Sequence, residues 1–188
     1  MDNNSSNRDW QQEFVIRPVG FVSSELKDPS LKSGSDGLSQ TENQQEIKRQ
    51  SETIKRLVSR IDLNPALSGI LDGLEQFSHA LVLYWPHLGK PESREILRVH
   101  PMGNTEINKV GVYASCSPAR PNPILVTAVT IVEVNQNSLR VQGLEAVDGS
   151  PVLDIKPYNR HYLEVKDLKT ADWMSRIEEE MSSSQPKP

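Results

Sequence analysis

Between residues 96 and 147 the chain strings together short β-prone runs parted by turn residues, and almost nothing in that stretch reads as helix. The clearest runs are 110–114, 124–134 and 139–144. In the last, Leu139 and Val141 alternate with Arg140 and Gln142, the period of a half-buried strand. The polar stretch Asn135-Gln136-Asn137-Ser138 between the last two runs predicts a hairpin connection. Upstream, residues 14–22 predict a strand, with Pro18 at an edge or bulge because proline cannot donate to a ladder. Residues 60–63 are a possible short strand. The apolar run 80–85 reads as a strand buried on both faces. One internal helix is convincing: Asn64 can cap it, Pro65 suits its first position, and Leu67, Ile70, Leu71 and Leu74 share a face. Five or more short strands with one short internal helix predict an all-β fold, a small closed or nearly closed barrel. The strand–helix alternation and Gly-x-Gly loop of a dinucleotide-binding sheet are missing from the pattern.

Hydrophobic residues make up 36% of the 188-residue chain, below the globular norm, and the shortfall is local. Residues 1–11 and the last few are too polar to offset the entropy of ordering and are expected as disordered tails. The same bias marks a polar insertion at about 24–56, whose second half, 46–58, carries Ile47, Ile54, Leu57 and Val58 at helical spacing. The expected organisation is one barrel domain over 12–162 carrying that insertion, then a C-terminal helix with Met174, Ile177 and Met181 on one face, within 163–188. The net charge of −4 supplies no global field toward nucleic acid. Any RNA contact therefore needs a local patch, with Arg94, Arg98, His100, Lys109, Arg120 and Arg160 as contributors, or a composite face on a homodimer. A single cysteine, Cys116, excludes an intrachain disulfide and a multi-cysteine zinc site. His79, His87, His100 and His161 show no metal-ligand spacing, so no metal is expected. With no signal region and no long apolar run, a soluble cytoplasmic protein without a membrane partner is expected.

Two segments carry chemistry. In 115–124, Pro118, Pro121 and Pro123 preset a rigid loop that could hold Arg120 and Asn122 at low entropic cost. It also reads simply as a proline-stiffened connection between strands. In 145–158, Asp148-Gly149 makes a tight turn, and Asp154, Lys156 and Tyr158 alternate so as to project from one side. An acid, an ammonium and a phenol on one face suit acid–base work. A surface salt bridge beside a tyrosine fits the same pattern. Cys116 has no partner base in sequence and reads as a small pocket-lining thiol.

Four motifs, in order, resemble the TrmO or TsaA-like family: Gly73 to His79 with the apolar run to His87, Val110-Gly111-Val112-Tyr113-Ala114, Arg120-Pro121-Asn122-Pro123-Ile124, and Asp148 through Tyr158. The match runs over residues 64–158, with a weaker echo at 19–23. The resemblance implies a small dimerising β barrel that binds S-adenosyl-L-methionine outside any Rossmann fold. It implies methyl transfer to the exocyclic nitrogen of threonylcarbamoyladenosine, next to the anticodon of tRNA. By matching positions, the cofactor would meet Pro86, His87, Cys116, Leu125, Val141, Gln142, Gly143, Leu144 and Glu145. Arg120, Asn122 and Asp148 would face the substrate, with Asp154 as base or orienter, Lys156 as the cation and Tyr158 stacking or hydrogen-bonding. The chain departs from the family at Cys116, usually Arg, at Glu145, usually Asp, and at Ser150, usually Thr. The Pro-Arg-Gln that often follows the first strand is replaced by the polar insertion.

Overall fold

The computed structural model describes residues 12–29, 32–34, 37–39 and 44–182. The tails expected to be disordered, 1–11 and 183–188, lie outside the described residues. Among the described residues, ten strands and three helices run in the order β1 (Gly20–Ser23), β2 (Lys32–Gly34), β3 (Gly37–Ser39), α1 (Gln44–Arg56), β4 (Val58–Leu63), β5 (His79–Tyr84), β6 (Arg98–Val99), β7 (Val110–Gly111), β8 (Leu125–Asn135), β9 (Ser138–Gln142), β10 (Pro151–Pro157), α2 (Arg160–Leu163) and α3 (Asp172–Ser182). Six of the strands close a barrel in the order β1-β10-β5-β8-β9-β4, and β4 pairs back onto β1. Every pairing in the wall is antiparallel. The strands β2 and β3, and β6 and β7, form separate two-stranded ribbons.

Alternation fills the interior. Ile61, Val82, Leu139, Val141 and Val152 are fully buried, and a barrel this narrow has room only for such side chains. Leu144 and Ala146, from the 143–150 segment, close one end, while Leu71, from the 64–78 segment, closes the other. At Gly20 a Cβ would lie 2.4 Å from the Asp62 carbonyl oxygen, so only glycine lets β1 approach β4 this closely.

Several expectations hold. Asn135 pairs with Ser138 across the hairpin turn between β8 and β9. Leu139 and Val141 point inward while Arg140 is exposed, and the helix expected in the second half of the insertion is α1. Others need correction. No helix follows Asn64: its Oδ1 accepts from the Ala66 N–H at 3.0 Å, but only the 3-10 turns Pro65–Leu67 and Leu74–Gln76 form. Gly69, just past the first turn, and Gly73, just before the second, adopt φ of +86° and +89°, left-handed values that interrupt a helix. Strand β5 is buried on one face only. Ala80, Val82 and Tyr84 face the core and Leu81 and Leu83 the outside; the run looked continuous because its outer face is also aliphatic. The first strand begins at Gly20, leaving 12–18 outside any regular element and exposed. Within 110–114 only Val110–Gly111 is strand, and Val112–Ala114 is a 3-10 turn. The extended segment carrying Asp154 and Lys156 is β10.

Truncating the interior tests this packing. Leu139→Ala should cost about 2–5 kcal/mol in urea unfolding, as for a fully buried leucine. Val132→Ala on the outer face, at 45% exposure, should stay within about 0.5 kcal/mol.

Candidate functional site

Antiparallel closure sorts the loops by barrel end. Strands β1, β5 and β9 finish at one rim, where β4, β8 and β10 begin. That rim receives the insertion, the long 85–124 connection and the 143–150 crossing. The other end receives the 64–78 segment and the short hairpin turn. Pro86, His87, Cys116, Leu125, Gln142, Gly143, Leu144 and Glu145, together with Arg120, Asn122 and Asp148, all lie on loops or strand ends at the first rim. Thus positions scattered over sixty residues of sequence (86 to 148) come to one end of the barrel.

The crossing segment is built for main-chain contacts. Val141 and Leu144 are fully buried, so they can offer a ligand little but their backbone. The Gly143 N–H donates to the Leu57 carbonyl at 3.0 Å, and Gln142 Nε2 donates to the Lys55 carbonyl at 3.2 Å, fastening the segment to the end of α1. The N–H groups of Leu144, Glu145, Ala146 and Val147 meet no acceptor among the described residues. Main-chain donors are normally paired, so such a row leaves bonding capacity open to acceptor atoms of a ligand or of water.

Asp148 joins two loops. Its Oδ1 accepts from the Ser24 N–H at 2.9 Å and its Oδ2 meets Lys27 Nζ at 2.8 Å. Lys27 first, then the Ser24 N–H, holds this carboxyl below its usual range, with a small contribution from His87. Gly149 adopts φ +76°, the left-handed turn that glycine favours, and the His87 ring lies beside it at ordinary contact distance. His87 Nδ1 and Ser150 Oγ stand 3.4 Å apart. Just inside the rim, the Tyr84 hydroxyl lies 3.4 Å from Thr127 Oγ1. Burial, and secondarily the Glu145 carboxylate, push Tyr84 up to about 12, so its hydroxyl keeps its proton throughout the neutral range.

The proline-rich loop is stapled from within. Arg120 Nε donates to the Ser117 carbonyl at 2.6 Å, and its Nη2 donates to the carbonyls of Ser115 at 2.5 Å and Val112 at 3.5 Å. Arg120 therefore shapes the loop, while Cys116 and Asn122 are exposed on it. Tyr113 stands 76% exposed beside them, and the Arg94 guanidinium lies 5.2 Å from the centre of the Trp85 ring. Arg94, Arg98, His100, Lys109 and Arg120 all belong to the 85–124 connection, with Arg120 turned into the loop. Arg160 does not join it; it follows β10 at the other end and pairs with Glu164.

The expected acid–base trio is placed differently. A bulge between Val152 and Asp154 shifts the register of β10. Ile155 then pairs with the buried Val82, and Asp154 and Lys156 pair with Leu83 and Leu81 on the outer wall. Asp154 Oδ2 and Lys156 Nζ are 2.6 Å apart. Tyr158, whose N–H donates to the His79 carbonyl, lies at the far end, roughly 20 Å along the strand from the rim. Asp154 and Lys156 share a face, as their alternation implied, and β10 carries them from the rim toward the far end. Sequence reasoning missed Tyr84, Thr127 and Lys27. Tyr84 was concealed in an apolar run, and Lys27 lies in a segment whose composition suggested no structure. Among the described residues no group of three His, Cys, Asp or Glu side chains could hold a metal, and no helix is long and apolar enough to cross a membrane.

Two titrations test the electrostatics. Carbon-13 NMR should give Asp148 a midpoint below the ordinary ~3.9, rising toward that value in Lys27→Ala. The bond's contribution to stability is therefore present above the unfolded value and lost as pH falls through the folded one. In alkaline ultraviolet titration, Tyr84→Phe should remove a component near 12. Burial of Tyr84 stabilises the fold below about pH 10, and that contribution fades as pH rises through the folded value.

Known proteins resemble this chain in sequence and in fold. The family model for the tRNA-methyltransferase O N-terminal domain matches residues 38–163. A probable S-adenosyl-L-methionine-binding protein of Methanothermobacter thermautotrophicus is 42% identical over 146 residues, covering 78% of this chain and 90% of the relative. The human tRNA (adenine(37)-N6)-methyltransferase is 36% identical over 149 residues, 79% of this chain and 31% of that protein. The crystal structure of TrmO from Pseudomonas aeruginosa superposes with a TM-score of 0.61 at 25% identity, covering 85% of this chain. This chain spans only 62% of that protein's length.

Proposed function

Because the chain belongs to the tRNA-methyltransferase O family, we propose that it is an S-adenosyl-L-methionine-dependent methyltransferase acting at the barrel rim. Its acceptor is the exocyclic nitrogen of threonylcarbamoyladenosine at position 37 of tRNA, the position for which the human relative is named. The observation that carries this reading is the row of unengaged main-chain donors from Leu144 to Val147, beside a buried hydroxyl at the same rim. A nucleoside cofactor rich in acceptor atoms fits such a row.

Pro86, His87, Cys116, Leu125 and the 141–145 segment would hold the cofactor, the last through its backbone. Bound there, the cofactor supplies a methyl group already activated as a sulfonium, so alignment is the protein's main task. Arg120 and Asp148 serve by fixing the 112–120 loop and the 24–27 loop. Asn122 and Tyr113 stand exposed beside the cofactor positions, where an RNA base can be bonded or stacked. The acceptor nitrogen must give up a proton. Glu145 is the carboxylate on the 141–145 segment itself, and its side chain has no ion pair or hydrogen bond among the described residues, so we assign it that proton. Asp154, Lys156 and Tyr158 then maintain the wall. The basic group on the 85–124 connection meets the tRNA backbone, and the protein acts as a homodimer in the cytoplasm.

Nucleoside mass spectrometry of tRNA from cells lacking the protein should show threonylcarbamoyladenosine without its methyl group; an unchanged profile overturns the acceptor assignment. In single-turnover assays Glu145→Gln should slow transfer by about 10²–10⁴ with calorimetric cofactor binding retained. Asp154→Asn should leave transfer unchanged, and the reverse pattern would return the base to Asp154. Cys116→Arg should tighten cofactor binding roughly tenfold or more by restoring a charged donor.

A further inference from the structure

The cations of the 85–124 connection differ in the donors they have left. Arg120 commits its guanidinium to the carbonyls of Ser117, Ser115 and Val112. Arg98 Nη2 donates to the Lys109 carbonyl at 2.8 Å, and His100 Nδ1 bonds the Ile107 carbonyl at 2.6 Å. Lys90 and Lys109 have no side-chain bond among the described residues, but a lysine is a point charge on a flexible stem. Arg94 is different. Its guanidinium lies over the Trp85 ring, 5.2 Å from the centre, and none of its donors meets a carbonyl or carboxylate among the described residues. Both halves of that contact are anchored. The Trp85 N–H donates to the Pro151 carbonyl at 2.9 Å, continuing the pairing of β5 with β10 at the rim. Arg94 rides on the 3-10 turn Pro91–Glu95, where Ser93 is buried and its Oγ donates to the Lys90 carbonyl at 2.6 Å.

We propose that Arg94, held in place by Trp85, is the phosphate anchor of the rim and takes a backbone phosphate of the RNA acceptor. This rests on the tRNA reading above and names the residue that would fix the register of the RNA. A guanidinium already held over a ring keeps its fork of donors open and loses little further side-chain freedom on binding, which suits two oxygens of one phosphate. By the alternation of β5, Trp85 falls on the outer side with Leu81 and Leu83, opposite the inward Tyr84. The anion is therefore held outside the barrel mouth, away from Tyr84, where a polymer crossing the rim fits better than a cofactor seated in the mouth. The 85–124 connection also carries five Lys and Arg against three Glu, in a chain whose net charge is −4. Glu92 and Glu95 share the turn with Arg94, and neither pairs with it. They weaken attraction at a distance and leave recognition to direct contact with the guanidinium.

The test is the affinity of the full chain for tRNA carrying threonylcarbamoyladenosine, measured by fluorescence anisotropy across a salt series. Arg94→Ala should lower the slope of log affinity against log salt by about 0.7–0.9, the share of one phosphate contact. That loss amounts to roughly fivefold at physiological salt and disappears toward molar salt. Arg94 is exposed, so circular dichroism and melting temperature should stay at wild-type values. Trp85→Leu should weaken binding about two- to fivefold with the slope kept, and Trp85→Phe should restore most of it, because an aromatic face returns. Arg160→Ala removes the same charge at the other end and should change neither affinity nor slope. In turnover, Arg94→Ala should raise KM for tRNA and leave kcat in place, as a contact made equally in ground and transition states does. A wild-type chain without salt-dependent tRNA affinity overturns the tRNA reading and this anchor with it. Wild-type binding with an unchanged slope in Arg94→Ala overturns the anchor alone. Weaker calorimetric binding of S-adenosyl-L-methionine in Arg94→Ala, with the RNA slope unchanged, assigns the guanidinium to the cofactor's carboxylate and overturns the phosphate contact. An equal loss of slope in Arg160→Ala replaces the local contact by general charge, and a Trp85→Leu variant that binds like wild type overturns the role of the ring.

Discussion

The four residues of β1 pair with β4 along their whole length and with β10 at Gly20 and Phe21, and through them the two ends of the domain become one continuous wall. A barrel has no edge, so every strand satisfies its backbone groups on both sides and the narrow interior fills with one layer of inward side chains. The approach at Gly20, where any Cβ would collide with the Asp62 carbonyl, is where that closure is tightest. Both ends then need stoppers. Leu144 and Ala146 serve at one and Leu71 at the other, and the loops that carry those stoppers also carry the molecule's surface chemistry.

Closure divides the molecule functionally. Since all neighbours run antiparallel, the long connections fall together at one rim, and a rigid wall presents them. Two charged residues organise those connections from inside. Asp148 ties the beginning of the insertion to the turn before β10, and Arg120 gathers three carbonyls of the proline-rich loop. Neither is free to meet a ligand with its full bonding capacity, so their value lies in holding the neighbours that can. The backbone donors of 144–147 have the complementary character: their side chains are largely in the core, and their N–H groups are unspent.

One bulge decides the fate of another set of residues. Without the extra residue between Val152 and Asp154, the parity of β10 would aim Asp154 and Lys156 at the interior, where two charges would be costly to bury. With it, they form an ion pair on the outer wall, and Ile155 takes the inward place opposite Val82.

The sequence by itself determined the class of fold, the hairpin at 135–138, the inward set Leu139 and Val141, the helix in the insertion and the family motifs, because each depends on contacts between near neighbours or on a strict local period. It misjudged the 64–74 segment, since two glycines at left-handed φ outweighed an apolar spacing that suits a helix. It misjudged β5, since an aliphatic outer face looks like burial. Only the tertiary structure decided which loops share a rim, that Lys27 and Ser24 reach Asp148, that Arg120 turns inward, and that Asp154, Lys156 and Tyr158 run down the wall away from the other candidates. These depend on strand order, shear and a single bulge. Such quantities are set by pairings between residues far apart in the chain, and no local pattern carries them.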